Sequence, residues 1–228
     1  MDNSGKVGAV IVAAGRSQRM GGVDKVLALL GGKPLLVRVI DAFQMCDSVD
    51  QIVLVVSEQN LGKVRGLITK QGWSKKTVLC FGGRRRQDSV LAGLGRLDQC
   101  DWVVIHDGAR PLVTVDLISR GLKEAIETGA AAAAVPVTDT IKVAGADRLV
   151  QQTPSRHDLW AVQTPQVFRF DIIAEAYGRA KGEVTDDATL VERSGYRVKL
   201  YMGSYDNMKI TTPDDLVVAE AFLRKRGK

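Results

Sequence analysis

The chain has 228 residues and is 45% hydrophobic, a size and composition suited to one large α/β domain with an ample core. Its formal net charge is +6, but aromatic residues make up only 5% and are not interleaved with the basic ones. That speaks against a nucleic-acid-binding face and for small anionic substrates. No apolar run approaches the ~18 residues that would cross a bilayer. The three scattered cysteines, Cys46, Cys80 and Cys100, lack metal-ligand spacing and read as free thiols of a reducing cytoplasm.

In chain order, residues 7–12 form a short apolar, β-branched run, read as a strand buried on both faces, as in a parallel sheet. It leads into Ala13-Ala14-Gly15, where an uncovered backbone can approach a phosphate closely. Arg16, Arg19 and Lys25 follow within one loop. A strand, a small-residue turn and three cations make a place for a polyphosphate. The loop is neither of the two familiar nucleotide motifs. A dinucleotide fingerprint needs glycines where Ser17 and Met20 stand, and a P-loop needs Ser or Thr after Gly32-Lys33, where Pro34 stands.

Strand-like runs and helical periodicity then alternate, which predicts a mostly parallel sheet covered by helices on both faces. A helix started by Pro34 puts Leu36, Ile40 and Phe43 on one side. Strands over 51–56, 77–81, 102–106 and 130–137 are interleaved with helices over 61–71, 89–97 and 115–127, with Asp88 or Ser89 as N-cap of the 89–97 helix. Residues 140–143 and 149–152, joined by Ala144-Gly145-Ala146-Asp147, read as a β-hairpin outside the alternation. Such a hairpin has nothing of its own to pack on, so it either packs on another subunit or folds back as a flap. A strand over 159–163, a helix over 170–181 and a strand over 198–202 follow. Thr212-Pro213-Asp214-Asp215 opens a last helix, with Leu216, Ala219 and Leu223 as its apolar face. Met45 and Met202 read as core, and the Arg224-Lys225-Arg226 tail as a solvated helix end. No repeat, low-complexity tract or second domain stands out, so residues 1–228 are expected to form one domain.

Two further loops carry chemistry. Gly82-Gly83-Arg84-Arg85-Arg86-Gln87-Asp88-Ser89 follows the 77–81 strand, and His106-Asp107-Gly108-Ala109-Arg110-Pro111 follows the 102–106 strand. Ligands of open parallel sheets bind at the carboxyl ends of strands, so both loops are expected to face the crevice of the first. Asp88 and Ser89 read as ligand contacts or as plain caps. An acid at Asp107 is well placed for a Mg²⁺ ion bridging nucleotide phosphates. Arg110 reads as its partner or as a ligand contact, and His106 as structural. Asp186 is a helix cap or a site residue, and Lys209 a solvated lysine or a site cation.

Five motifs occur in a fixed order: Gly-Gly-x-x-Arg-x-Asp-Ser-Val, His-Asp-x-Ala-Arg-Pro, Pro-Val-x-Asp-Thr-x-Lys, Leu-Trp-x-x-x-Thr-Pro-Gln and Asp-Asn-x-Lys-x-Thr-x-Pro-Asp-Asp-Leu. With the Ala13-Ala14-Gly15-x-x-x-Arg19-Met20 loop, the chain resembles the 2-C-methyl-D-erythritol 4-phosphate cytidylyltransferases, a family of the sugar-nucleotide pyrophosphorylase-like nucleotidyltransferases. The resemblance runs from about Val7 to Leu223. It implies a Rossmann-like domain with a protruding hairpin arm at about 138–158. It also implies Mg²⁺-dependent transfer of CMP from CTP to methylerythritol phosphate in non-mevalonate isoprenoid synthesis, with other divalent cations as substitutes, and a cytoplasmic homodimer built through the arm, with no nucleic-acid or membrane partner.

Residue by residue, the resemblance implies that Arg19 and Lys25 stabilise charge on the α-phosphoryl group and leaving pyrophosphate. Arg156 and Lys209 match the pair that positions the acceptor phosphate, Arg156 serving the neighbouring subunit's site. Ala13, Ala14, Gly15, Gly83 and Ser89 match contacts to cytidine and phosphates, Asp107 the place close to nucleotide and metal, and Thr140, Thr164 and Asp206 the acceptor's surroundings. Val12 and Asp24 stand where the family often has prolines, the 20–25 segment is about one residue short, and Arg84 stands where an acid is common. Two rival readings are a cytidylyltransferase acting on ribitol 5-phosphate and a nucleotide-sensing module without catalysis. A polyanion-binding protein is a third, and it predicts binding lost steeply with salt.

Overall fold

The computed structural model describes residues 5–15, 25–180 and 182–227, Lys25 by its backbone alone. Strand β1 (Val7–Ala13) is followed by the two-residue strands β2 (Leu29–Leu30) and β3 (Lys33–Pro34), helix α1 (Leu35–Gln44), β4 (Gln51–Val56), α2 (Leu61–Gln71) and β5 (Lys76–Phe81). Then come α3 (Arg86–Leu94), β6 (Trp102–Asp107), α4 (Val115–Thr128) and β7 (Ala130–Pro136). The short pair β8 (Val143–Ala144) and β9 (Val150–Gln152) precedes β10 (Trp160–Arg169), α5 (Phe170–Gly178), α6 (Asp187–Arg193), β11 (Lys199–Met202) and α7 (Pro213–Arg226).

Seven strands form one sheet in the order β11-β7-β10-β6-β1-β4-β5. All neighbours are parallel except β10, which runs antiparallel to both β6 and β7. Val7, Ala9 and Ile11 of β1 enter one apolar layer and Val10 the other, because successive side chains of a strand point to opposite faces. Both faces are covered, so the strand needs an unbroken apolar run. α1 and α4 supply most of the first layer, through Leu36, Ile40, Phe43, Leu117, Ile118 and Leu122. α3, α5 and α6 supply the second, through Val90, Leu94, Ile172, Ile173, Leu190 and Val191. α7 seats Leu216, Ala219 and Leu223 against Leu30, Leu35 and Ile210 in a third cluster.

Several expectations change. β10 runs six residues past the predicted end at Gln163, straight through Thr164-Pro165. A register shift against β7 between Val162 and Gln166 absorbs the proline, which a strand tolerates at a bulge. α3 starts at Arg86, not Ser89: Arg85 is its N-cap, and Asp88, three residues in, reaches back to the Arg85 N–H in a capping box. Met45 and Met202 are 65% and 51% exposed, because one caps the end of α1 and the other ends the edge strand β11. Arg226 is not solvated: it donates to the Leu112 carbonyl and lies 3.6 Å from the Asp206 carboxylate.

Trp160 pairs with Pro136, so β7, the 138–158 arm and β10 form one long hairpin. β8 and β9 pair with each other, and every residue in them is exposed. The arm does not fold back on the sheet as a flap.

Candidate active site

The chain leaves β1 for β4 and β5 on one side, then returns to β6 on the other. That reversal opens a crevice at the carboxyl ends. A cleft of about 420 Å³ lies there, lined from the ends of β1 (Val12–Gly15), β4 (Ser57–Gln59), β5 (Gly82–Arg86) and β6 (Asp107, Ala109), with Ser89, Val26 and Lys209. Of the residues singled out from sequence, Ala13, Ala14, Gly15, Gly83, Ser89, Asp107 and Lys209 meet in this one cleft.

The small residues serve packing as well as access. A Cβ on Gly82 would lie 2.3 Å from the Ala14 Cβ, and one on Gly83 2.3 Å from the Asp88 Cβ. The β1 and β5 loops therefore touch through side chains no larger than a methyl group. Gly15 has nothing within 4 Å of its would-be Cβ among the described residues, so it alone of these is open to a ligand. The Ser89 hydroxyl accepts from Gly83 N–H and donates to the Arg85 carbonyl, which fixes the loop around α3's first turn.

The floor is a ladder of charges. Asp107 is 7% exposed. One carboxylate oxygen takes Arg86 Nε at 3.1 Å and the other Lys209 Nζ at 2.7 Å. Arg86 Nη1 continues to Asp187 at 2.8 Å, whose other oxygen accepts from the Tyr177 hydroxyl at 2.7 Å. Burial disfavours the charged carboxylate, but Arg86 and Lys209 outweigh it and hold Asp107 far below the usual carboxylate range. Burial likewise works against the Arg86 guanidinium, and Asp187 and Asp107 overcome it and raise it above its ordinary value. The same carboxylate pushes the buried Tyr177 hydroxyl up, after burial itself.

Behind the floor, His106 is buried and neutral. Burial is the leading cause that lowers it to about 4. Its Nε2 lies 3.2 Å from the Arg110 carbonyl and its Nδ1 3.1 Å from the Thr164 hydroxyl. The neutral Nε2–H tautomer satisfies both, and the Thr164 oxygen also accepts the Asp107 N–H. The structural reading of His106 holds. Thr164, 4% exposed, braces Asp107 from behind and does not line the cleft. Arg110 makes no ion pair with Asp107: its Nη1 donates to the Asn207 carbonyl at 2.7 Å.

Asn207 is 1% exposed and donates to Gln163 Oε1 and the Thr164 carbonyl. It thereby pins the loop that brings Lys209 over Asp107. Lys209 is therefore not a solvated lysine, and Asp186 is a helix cap, accepting from Thr189 N–H. Asp206 faces Arg226 rather than the cleft. Thr140 and Arg156 are exposed on the arm, Arg156 donating to the Thr138 carbonyl. Arg19, Arg16 and Asp24 lie outside the described residues, as does the Lys25 side chain.

Sequence reasoning missed the joint roles of Arg86, Tyr177 and Asp187, the Gln163–Asn207 brace and the Arg226 anchor. Gln163 and Gln166, amides inside an otherwise apolar strand, were the one legible signal. Among the described residues no group of three or more His, Cys, Asp or Glu could hold a metal alone, and no helix is long and apolar enough to cross a membrane.

The family model for IspD, 2-C-methyl-D-erythritol 4-phosphate cytidylyltransferase, matches residues 7–225. A curated relative with that name from Dehalococcoides mccartyi is 52% identical over 220 residues, covering 96% of this chain and 97% of the relative. One from Caldanaerobacter subterraneus is 48% identical over 225 residues, covering 96% and 99%. The crystal structure of 4-diphosphocytidyl-2C-methyl-D-erythritol synthase from Anaerococcus prevotii superposes with a TM-score of 0.87 at 30% identity, covering 96% of each chain. That of the cytidylyltransferase from Thermus thermophilus gives 0.76 at 32%, covering 94% and 98%. With a carboxyl-end cleft built from the motif residues and a family match that spans nearly the whole sequence, this chain belongs to the 2-C-methyl-D-erythritol 4-phosphate cytidylyltransferase family.

Proposed function

We propose that the chain transfers CMP from CTP to 2-C-methyl-D-erythritol 4-phosphate, releasing pyrophosphate, as one step of isoprenoid precursor synthesis in the cytoplasm, with residues 1–228 acting as one domain. The observation that carries this is Asp107, held between Arg86 and Lys209 on the floor of a cleft made by four strand ends, in a chain of this family.

An oxygen of the acceptor phosphate attacks the α-phosphorus of CTP in line, and the bond to the pyrophosphate oxygen breaks. Such a transfer needs positioning and neutralisation of spread negative charge more than covalent help. The backbone of Ala13–Gly15 and Gly83, with Ser89 behind it, forms the wall for cytidine and phosphates. Arg19 and Lys25 supply the cations for the α-phosphoryl group and leaving pyrophosphate. They belong to a segment whose described ends, Gly15 and Val26, both line the cleft. Lys209, 39% exposed at its side chain, meets the acceptor phosphate at the cleft edge; Thr164 acts there only through Asp107, whose N–H it accepts.

A Mg²⁺ ion fits the donor set. It takes hard oxygen ligands and is commonly held by one or two carboxylates plus substrate phosphates and water. Asp107 lies on the floor between Arg86 and Lys209, and Lys209 would yield one of its oxygens. Bound there, the ion neutralises phosphate charge on the nucleotide.

The acceptor site needs a second subunit. Ile141, Val143, Leu149 and Val150 on the arm, with Trp160 and Val162 beside it, are all exposed. Exposed apolar side chains gathered on one projecting arm mark an interaction face, and a second copy of the chain is the partner. Arg156, exposed at the base of the arm beside Thr138, then serves the neighbour's cleft.

The test is pyrophosphate release by the purified protein with CTP, Mg²⁺ and methylerythritol 4-phosphate, with ATP, GTP, UTP and ribitol 5-phosphate run alongside. Release that needs both CTP and methylerythritol phosphate is the expected result. Release with ribitol phosphate instead would move the chain to that acceptor, and none with any pair in protein that binds CTP would favour a sensing module.

A further inference from the structure

Gln163 is 8% exposed and does not line the cleft, although Val162 beside it is 42% exposed. A buried amide is costly unless its donor and acceptor are answered. Among the described residues, the hydrogen bonds of this side chain all go to the turn at 204–207. Nε2 donates to the Ser204 carbonyl at 2.9 Å. Oε1 accepts from Asn207 Nδ2 at 3.1 Å, with the Ser204 N–H at 3.5 Å on the same oxygen. The turn's own bond runs from the Asn207 N–H to the Ser204 carbonyl at 3.0 Å. Gly203 leaves room for the amide: a Cβ there would lie 2.7 Å from Gln163 Oε1.

The rest of the loop is tied on both sides. Gly203 N–H donates to the Ala134 carbonyl at 2.7 Å, and the Tyr205 hydroxyl to the Pro136 carbonyl at 2.8 Å, both on β7 where it runs out into the arm. Past Lys209, Ile210 N–H donates to the Ala109 carbonyl at 2.8 Å, in the loop after Asp107. Lys209 thus leaves the chain between the roots of the arm and the cleft floor, two residues beyond the turn that Gln163 closes.

We propose that Gln163 is a positioning residue for the acceptor half of the reaction: by closing the 204–207 turn from the root of the arm, it sets where Lys209 stands. A lysine ammonium sits on a flexible four-carbon stem, so the backbone that carries it must be fixed if it is to meet a phosphate in one place. The inference rests on the reading of Lys209 as the cation for the acceptor phosphate.

The experiment uses the full chain as wild type, Q163M, K209A and Q163M/K209A, with pyrophosphate release at saturating CTP and CTP affinity by calorimetry. Methionine keeps the length of glutamine and removes both side-chain bonds, while Asn207 keeps the Thr164 carbonyl. Q163M is expected to lower kcat/KM for methylerythritol phosphate by about 30-fold and to leave CTP affinity within about 3-fold of wild type. Beside K209A it should cost less than about 3-fold more, because Gln163 acts through Lys209. An unchanged kcat/KM, an equal fall in CTP affinity, or losses that multiply in the double variant would each overturn the inference and leave the reading of Lys209 intact. K209A with wild-type turnover removes that reading, and the inference with it. If Q163M fails to fold, Q163E at pH ~9 carries the test, its carboxylate ionised. It still accepts from Asn207 and loses only the donor to Ser204. Its expected loss of about 5-fold must likewise vanish beside K209A, and a loss that persists there overturns the inference.

Discussion

Two regions of the sheet differ in how they finish their polar and apolar groups. At the β1–β6 crevice, the charges of the floor are answered within one chain: Lys209 by Asp107, Asp107 by Arg86, Arg86 by Asp187. At the β7–β10 side, the arm leaves Leu149 and Val150 68% and 59% exposed and Arg156, among the described residues, on the Thr138 carbonyl. A preorganised charge cluster must be complete before substrate arrives, whereas an apolar face can wait for a partner. On the proposed reading, the nucleotide half of the site is built by the chain alone, and the acceptor half is completed by another copy.

The sharpest break of that contrast is Lys209→Ala. It should lower kcat in the pyrophosphate assay by about 10³-fold. CTP affinity should change less than about tenfold, because Asp107 keeps Arg86; an equal collapse of CTP binding would assign Lys209 to the nucleotide instead. Next, Arg19→Ala and Arg156→Ala chains, each inactive, are mixed. If Arg156 works across a two-fold dimer, random pairing restores about a quarter of wild-type activity, since half the dimers are mixed and each has one intact site. No recovery in confirmed mixed dimers would return Arg156 to its own subunit.

Gly82→Ala probes the crevice wall. The added methyl meets Ala14 at 2.3 Å and should cost about 1–3 kcal/mol in chemical denaturation. A second change, Ala14→Gly, should restore part of it; no rescue would place the strain elsewhere, on Ser89. The smallest effect is a pH dependence from His106. Its folded value of about 4 lies below the ordinary 6.5, so on acidification the unfolded chain takes the proton first. Its contribution is therefore whole above pH ~6.5 and drains away toward pH ~4, a loss of about 2 kcal/mol between pH 7 and 4.5. His106→Gln should flatten that segment of the stability profile, and an unchanged slope would assign it to other groups.

The mostly parallel sheet was legible because strands buried on both faces need unbroken apolar runs, as residues 7–12 and 51–56 show. The cleft residues Ala13–Gly15, Gly83, Ser89 and Asp107 were legible for a related reason: in an open parallel sheet the carboxyl-end loops converge, so motifs after successive strands meet. The extent of β10 was hidden by Thr164-Pro165, which reads as a break until the bulge is seen. Met45 and Met202 misled because local hydrophobicity does not say where an element ends or which strand is an edge.

By itself, then, the sequence determined what periodicity and short-range chemistry control: the alternation of strands and helices, the small-residue loops, and the capped start of α7. Tertiary structure alone decided who pairs with whom. Arg86 and Asp187 are 101 residues apart and Arg110 and Asn207 97, and no local pattern distinguishes an arginine bound for solvent from one that closes a buried ladder. The partner of a charge is set by topology, since only the folded sheet brings such distant loops to one floor.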